Sequence, residues 1–357
     1  MSEFTSASLD PSASTPYVLS TKPVPASQVG STPLPLDWTK MGGVCEDEVD
    51  RAPQDVVDYE LDPADDHLSI VGTAGKKVTR IAGLEKMRLR VLVLRSHLIQ
   101  SMEGCKEQTG LETLELYDNA VGELRDLECF PKLTTLDISF NVIRSTAPIA
   151  SLSLLTELYI ANNKLATLEG LENLACLKTL DVGANRLRTM DGLGGCVSLE
   201  HLWMGKNKIT AISGLSNLPK IRRLDVQSNR LTSVAALGPV AATLEELYLA
   251  SNGIDDEGLS GPEDGIGAGS KLEFPNLTVL DLSKNKITLL SHFASLKSLD
   301  DLWFSENGVA SFDEVSLLKD VGLETIYLEH NPRIAMMQKL QAQAIERAKQ
   351  QGAEKSS

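Results

Sequence analysis

Positive charge is scarce in this chain: 34 Lys and Arg stand against 49 Asp and Glu, for a formal charge of −15. So acidic a surface repels phosphate backbones and anionic membranes. Neither nucleic acid nor a membrane is expected as a partner, and a protein with a basic face is. Cysteines are few, and Cys45, Cys105, Cys129, Cys176 and Cys196 form neither a C-x-x-C pair nor a terminal cluster. Disulfide-bonded caps are therefore not expected, which points to a reducing compartment. The opening MSEFTSASLD lacks a basic segment followed by an apolar one, so no secretory signal is expected. No apolar run approaches the roughly 20 residues that span a bilayer. Catalytic patterns are missing as well. The histidines show no H-E-x-x-H spacing, and GIGAGSK at 265–271 lacks the G-K-[ST] order of a phosphate loop. The expectation is no enzyme, no metal and no cofactor.

What the chain has is a period. Segments of the form L-x-x-L-x-L-x-x-N recur along most of it, as in Leu111 to Asn119, Leu133 to Asn141 and Leu177 to Asn185. The anchors are His97, Asn119, Asn141, Asn163, Asn185, Asn207, Asn229, Asn252, Asn285, Asn307 and Asn331, mostly 22 residues apart. That regularity predicts an α/β leucine-rich-repeat solenoid of about 11–12 repeats, with a curved parallel β-sheet on its concave face. The return segments, such as Leu165 to Leu174, are too short for long helices, so 3₁₀ or irregular backbone is expected on the convex face. The leucines should stack into one core. The asparagine amide should satisfy buried backbone groups of adjacent repeats where the chain turns. His97 reads as a structural substitute at that position.

Residues 1–55, rich in Ser, Thr and Pro, are expected to be a disordered tail, with Thr15-Pro16 and Thr32-Pro33 as candidate phosphorylation sites or plain solvated chain. The repeat domain is expected over 56–332, with a degenerate first repeat and a Gly/Pro-rich insertion near 255–275 that lengthens one interval to 33 residues. A helical tail is expected at 333–357.

In a strand, the residue between two inward leucines points to the opposite face. Read repeat by repeat, that position gives Val93, Glu115, Asp137, Tyr159, Asp181, Trp203, Asp225, Tyr248, Asp281, Trp303 and Tyr327. Aromatic residues make up 4% of the chain, yet they fill five of these eleven places, and acids fill five more. A solvated face would carry Lys, Thr, Ser, Gln and Arg instead. Aromatic side chains bring contact area at low entropic cost, so the column reads as a protein-binding surface. The following outward column is rich in small residues (Ser139, Ala161, Gly183, Gly205), which would let a partner backbone approach. The preceding one is mixed: Glu157, His201, Arg223, Glu246 and Asp301 among threonines. Eleven strands would span about 50 Å, ample for a protein interface.

Particular strings go beyond the generic repeat: LELYDN at 114–119, LDISFN at 136–141, LWMGKNKIT at 202–210, LDVQSNRLT at 224–232, LEELYLASNGI at 244–254 and LETIYLEHNP at 323–332. In these the chain resembles the protein phosphatase 1 regulatory subunit 7 family. The resemblance covers roughly residues 56 to 332. It implies a non-catalytic regulatory subunit of the nucleus and cytoplasm, acting in mitosis. Its partner would be the phosphatase 1 catalytic subunit, with a further phosphatase inhibitor joining in a ternary complex. It implies binding roles for Asp137, Tyr159, Asp181, Trp203, Asp281, Asp301, Trp303 and Tyr327, by chemical type rather than identity at Tyr159, Asp181 and Trp203. Glu115, Asp225 and Tyr248 join the candidate surface through the column itself. The chain departs from the family after Asn331-Pro332, where the usual leucine-rich closing stretch is replaced by a Gln/Ala/Lys tail. The other reading left open is a scaffold for a different basic partner, such as a spliceosomal, tubulin-cofactor or axonemal protein.

Overall fold

The computed structural model describes residues 62, 64–74, 77–260, 266, 273–311 and 313–332. The expected tails, the two Thr-Pro sites and most of the insertion lie outside the described residues.

The L-x-L segments become strands because alternate side chains are leucine and must leave water together. β1 (His67–Val71) and β2 (Val91–Arg95) open the sheet. They are followed by β3 (Thr113–Glu115), β4 (Thr135–Asp137), β5 (Glu157–Tyr159) and β6 (Thr179–Asp181). β7 (His201–Trp203), β8 (Arg223–Asp225) and β9 (Glu246–Tyr248) continue it, and β10 (Val279–Asp281), β11 (Asp301–Trp303) and β12 (Thr325–Tyr327) close it. All pair in parallel, each with its sequence neighbour. The register is one leucine opposite the next: Leu92, Leu114, Leu136 and Leu158, and on to Leu280, Leu302 and Ile326. The leucines from 92 to 302 in this row are fully buried, each worth roughly 1.5–3 kcal/mol of transfer from water.

β1 had only partly declared itself. Leu68 and Ile70 pair with Leu92 and Leu94, but they are only partly buried, as suits the first layer of a stack. Most convex returns carry a single 3₁₀ turn, for example Leu127–Cys129, Leu171–Asn173 and Leu215–Asn217. Neighbouring returns press closely together. A Cβ on Gly195 would lie 1.6 Å from the Glu172 carbonyl oxygen, so glycine is required there.

The asparagines act as expected. Asn163 Oδ1 accepts from Ile143 N–H of the preceding repeat at 2.9 Å, while Nδ2 donates to the carbonyls of Ile138, Ile160 and Ala161 at 3.0–3.2 Å. The same set recurs at Asn141, Asn185 and Asn207. His97 takes this role at the first turn. Its Nδ1 accepts from Val78 N–H at 3.2 Å, so Nε2 carries the proton toward the Ile70 carbonyl at 3.3 Å. Burial lowers its pKa. The residue before each anchor has a left-handed backbone although none is glycine, from Ser96 (φ 58°) through Ala184 (φ 52°) to His330 (φ 59°).

The insertion starts with a one-turn helix, α1 (Asp256–Leu259), capped by Asp255. Asp256 ties it to the next repeat, accepting from Thr288 N–H and Leu289 N–H at 3.1 Å and from the Thr288 hydroxyl at 2.6 Å.

Candidate protein-binding face

The register places Val93, Glu115, Asp137, Tyr159, Asp181, Trp203, Asp225, Tyr248, Asp281, Trp303 and Tyr327 in one unbroken row across β2 to β12. From Asp137 to Trp303 the row alternates strictly, aspartate then aromatic ring. Asp181, Asp225 and Asp281 thus each sit between two rings, on strands about 4.8 Å away on either side, whereas Asp137 has Glu115 on one side and Tyr159 on the other. Asp301 lies in the neighbouring row, beside Thr325 and two residues before Trp303.

The acids are less open than the sequence suggests. Asp225 and Asp281 are only 7% and 6% exposed. The rings of the flanking strands are larger than the carboxylates and overhang them. Each aspartate also has a structural task, because its Oδ1 accepts from the backbone N–H two residues on. The donors are Ser139, Gly183, Gln227 and Ser283, at 2.8–3.0 Å. Burial outweighs these bonds and pushes the Asp181 and Asp225 carboxyls up to about 6, and those of Asp137 and Asp281 upward too. Glu115 departs from the pattern: its carboxylate is engaged by Arg95 Nε at 2.7 Å.

The aromatic residues cluster toward the C-terminal end. Tyr248 meets Trp303 edge-on with centroids 6.2 Å apart, and Trp303 meets Tyr327 at 5.9 Å. Nearer the middle, the Arg223 guanidinium lies 5.9 Å from the Trp203 ring and 5.7 Å from the Tyr248 ring. It also pairs with Glu246, which accepts from the Tyr248 hydroxyl at 2.6 Å. The mixed row therefore contributes a built contact that the sequence reading passed over. Its signal was an arginine one strand away from a tryptophan on one side and from a Glu-Leu-Tyr on the other. His201 stacks on Trp203 at 5.9 Å.

Among the described residues no group of His, Cys, Asp and Glu is arranged to hold a metal ion, and no helix is long and apolar enough to cross a membrane. Asp256, His292 and Ser260 come together at the insertion. His292 Nε2 lies 3.3 Å from Asp256 Oδ1, and Nδ1 lies 3.3 Å from Ser260 Oγ. The serine hydroxyl donates to the Asp256 carbonyl, so the trio fastens α1.

Models of the Leucine Rich repeat match residues 131–146, 153–195, 197–239, 240–261 and 275–289. The chain has the leucine-rich-repeat fold. Among solved leucine-rich-repeat structures it is similar to an internalin from Listeria monocytogenes. That match has a TM-score of 0.61 and 22% identity, covering 74% of this chain and 81% of that one. A leucine-rich-repeat protein of Leptospira interrogans gives 0.57 and 23% over 70% of each chain. These likenesses concern the fold alone. In sequence it is similar to the protein phosphatase 1 regulatory inhibitor subunit PPP1R7 homolog of Arabidopsis thaliana, 34% identical over 129 residues. That stretch is 36% of this leucine-rich-repeat chain and 38% of the relative. It agrees with the family resemblance carried by the repeat strings.

Proposed function

We propose that this chain is a regulatory subunit that binds the catalytic subunit of protein phosphatase 1 through its concave face. The observation that carries this reading is the row of alternating aspartates and rings from Asp137 to Trp303, extended by Tyr327. Folding alone gives no reason to line an open sheet with Trp and Tyr, whereas interfaces concentrate their binding energy in such side chains. The identity of the partner is supported by the Arabidopsis relative, whose name includes that phosphatase. Glu115, Asp137, Tyr159, Asp181, Trp203, Asp225, Tyr248, Asp281, Asp301, Trp303 and Tyr327 are the proposed contact set. Tyr248, Trp303 and Tyr327 form its apolar anchor, with Asp281 in register between the first two and Asp301 in the neighbouring row. A nuclear and cytoplasmic location, a part in mitosis and a ternary complex with a phosphatase inhibitor belong to the same proposal.

The test is capture of the purified phosphatase catalytic subunit by the immobilised full chain. Wild type should retain it, and Trp303→Ala should weaken retention by about 2 kcal/mol or more, as loss of an aromatic anchor does. No retention by wild type would remove the proposed partner. Unchanged retention by Trp303→Ala would remove the proposed face.

A further inference from the structure

The concave face contains one aromatic cage that the chain fills itself. Arg223 on β8 enters between Trp203 on β7 and Tyr248 on β9, beside Asp225 of its own strand and paired with Glu246. Two strands earlier the same parts recur in mirror order. Tyr159 on β5 and Trp203 on β7 flank Asp181 on β6. The hydroxyl of Tyr159 reaches Glu157 at 3.5 Å, as that of Tyr248 reaches Glu246. The strand spacing is common to both, so the gap between the rings is set by the same two strand widths.

Trp203 is shared by both gaps and carries Arg223 and the stacked His201, each at 5.9 Å, but the second gap has its own residue in the place of Arg223. The residue in register with Arg223 is Thr179, too short to enter. Among the described residues, no ring contact joins Tyr159 to Trp203, whereas Tyr248 and Trp303 close on each other at 6.2 Å. No side-chain donor meets the Asp181 carboxylate, whose Oδ1 takes only Gly183 N–H. At Asp225 the second oxygen is occupied by Gln227 Nε2 at 2.9 Å. The next outward residues are Gly183 and Gly205 where other repeats carry Ser139, Ala161, Gln227 and Ala250, so nothing overhangs the gap from that side.

We propose that the Tyr159–Asp181–Trp203 cage is a binding site for a guanidinium group, supplied by an arginine of the partner protein. A planar guanidinium stacks on rings and binds a carboxylate in the same plane, which a lysine ammonium does not. Arg223 shows how such a group sits in this sheet. The proposal rests on the concave face being the partner surface, but it can be tested without the partner.

The experiment follows the Trp203 indole N–H resonance of the full chain while the blocked tripeptide acetyl-Gly-Arg-Gly-amide is added, with the Gly-Lys-Gly analogue in parallel. Trp203→Phe identifies the resonance. The expected result is a saturable shift with the arginine peptide. The affinity should be several-fold weaker for the lysine peptide. It should be about tenfold weaker in Asp181→Asn, which loses a charged acceptor but keeps the bond to Gly183. Thr179→Arg should fill the cage from within and abolish the shift. No saturable shift, equal response to lysine, or undiminished binding in Asp181→Asn would overturn the proposal. Phosphatase capture is read separately, so loss of that partner would leave this result standing, and the reverse.

Discussion

Tyr248 and Trp303 touch edge-on across the strand between them, and Asp281 lies beneath the contact at 6% exposure. The two rings are two strands apart and meet only because both lean over the small acid. Trp303→Ala should therefore do two things. It should weaken partner binding, and it should hydrate Asp281, lowering its burial-raised carboxyl toward the ordinary value near 3.8. Carboxyl-carbon NMR titration of Asp281 in the two proteins checks the second effect without any partner.

The aspartates should leave a mark on stability against pH. A carboxyl whose folded pKa is raised binds its proton more tightly in the fold. Its stabilising effect is therefore complete below the unfolded value of 3.8 and disappears as pH rises through about 6, the value for Asp181 and Asp225. Asp181→Asn keeps the acceptor for Gly183 N–H and removes the buried charge. It should be at least as stable as wild type at pH 7.5, with the difference vanishing by pH 4. Urea unfolding at the two values measures this, and a loss of stability at pH 7.5 would contradict it.

His97 has the opposite sign. Its folded pKa is lowered by burial, so its contribution is present above the unfolded value of 6.5 and is lost as pH falls through the folded one. A protonated ring could no longer accept from Val78 N–H. Pairing of β1 with β2 should loosen in mild acid, seen as faster amide exchange at Leu68 and Ile70 once corrected for intrinsic pH effects. His97→Asn, which installs the group used at the other turns, should remove that sensitivity.

An asparagine of the turn ladder should be costly to delete. Asn185→Ala orphans Leu165 N–H and strips donors from the carbonyls of Ile160, Val182 and Gly183. The loss should be about 3 kcal/mol or more in chemical denaturation. One residue earlier the change runs the other way. Ala184 holds φ 52°, a conformation that costs an L-residue roughly 1–2 kcal/mol, so Ala184→Gly should be neutral or stabilising by up to about 1 kcal/mol.

The scaffold and the row were legible in the sequence for one reason. A strict two-residue alternation between buried leucines leaves the middle residue a single direction to point, so register followed from the leucines without coordinates. The asparagine role was legible because a buried turn must satisfy its backbone. What the leucines could not say was how deep each outward residue would sit. Asp225 is buried because of Trp203 and Tyr248, which are 22 and 23 positions away in the chain. Arg223 looked like one member of a mixed row because its meaning lies in rings on two other strands. β1 was blurred because an end strand, covered on one side only, has weaker demands on its side chains.

The sheet carries two rulers of different length. Leucine, asparagine and the left-handed turn repeat with every strand, whereas aspartate and ring exchange places and so repeat with every second strand. Excising one 22-residue unit, 164–185 for example, would leave the core and the asparagine ladder continuous but set Tyr159 directly beside Trp203. Excising two would restore the beat. A family of length variants built in single units should therefore keep the fold throughout, and keep the rhythm of its face only in alternate members.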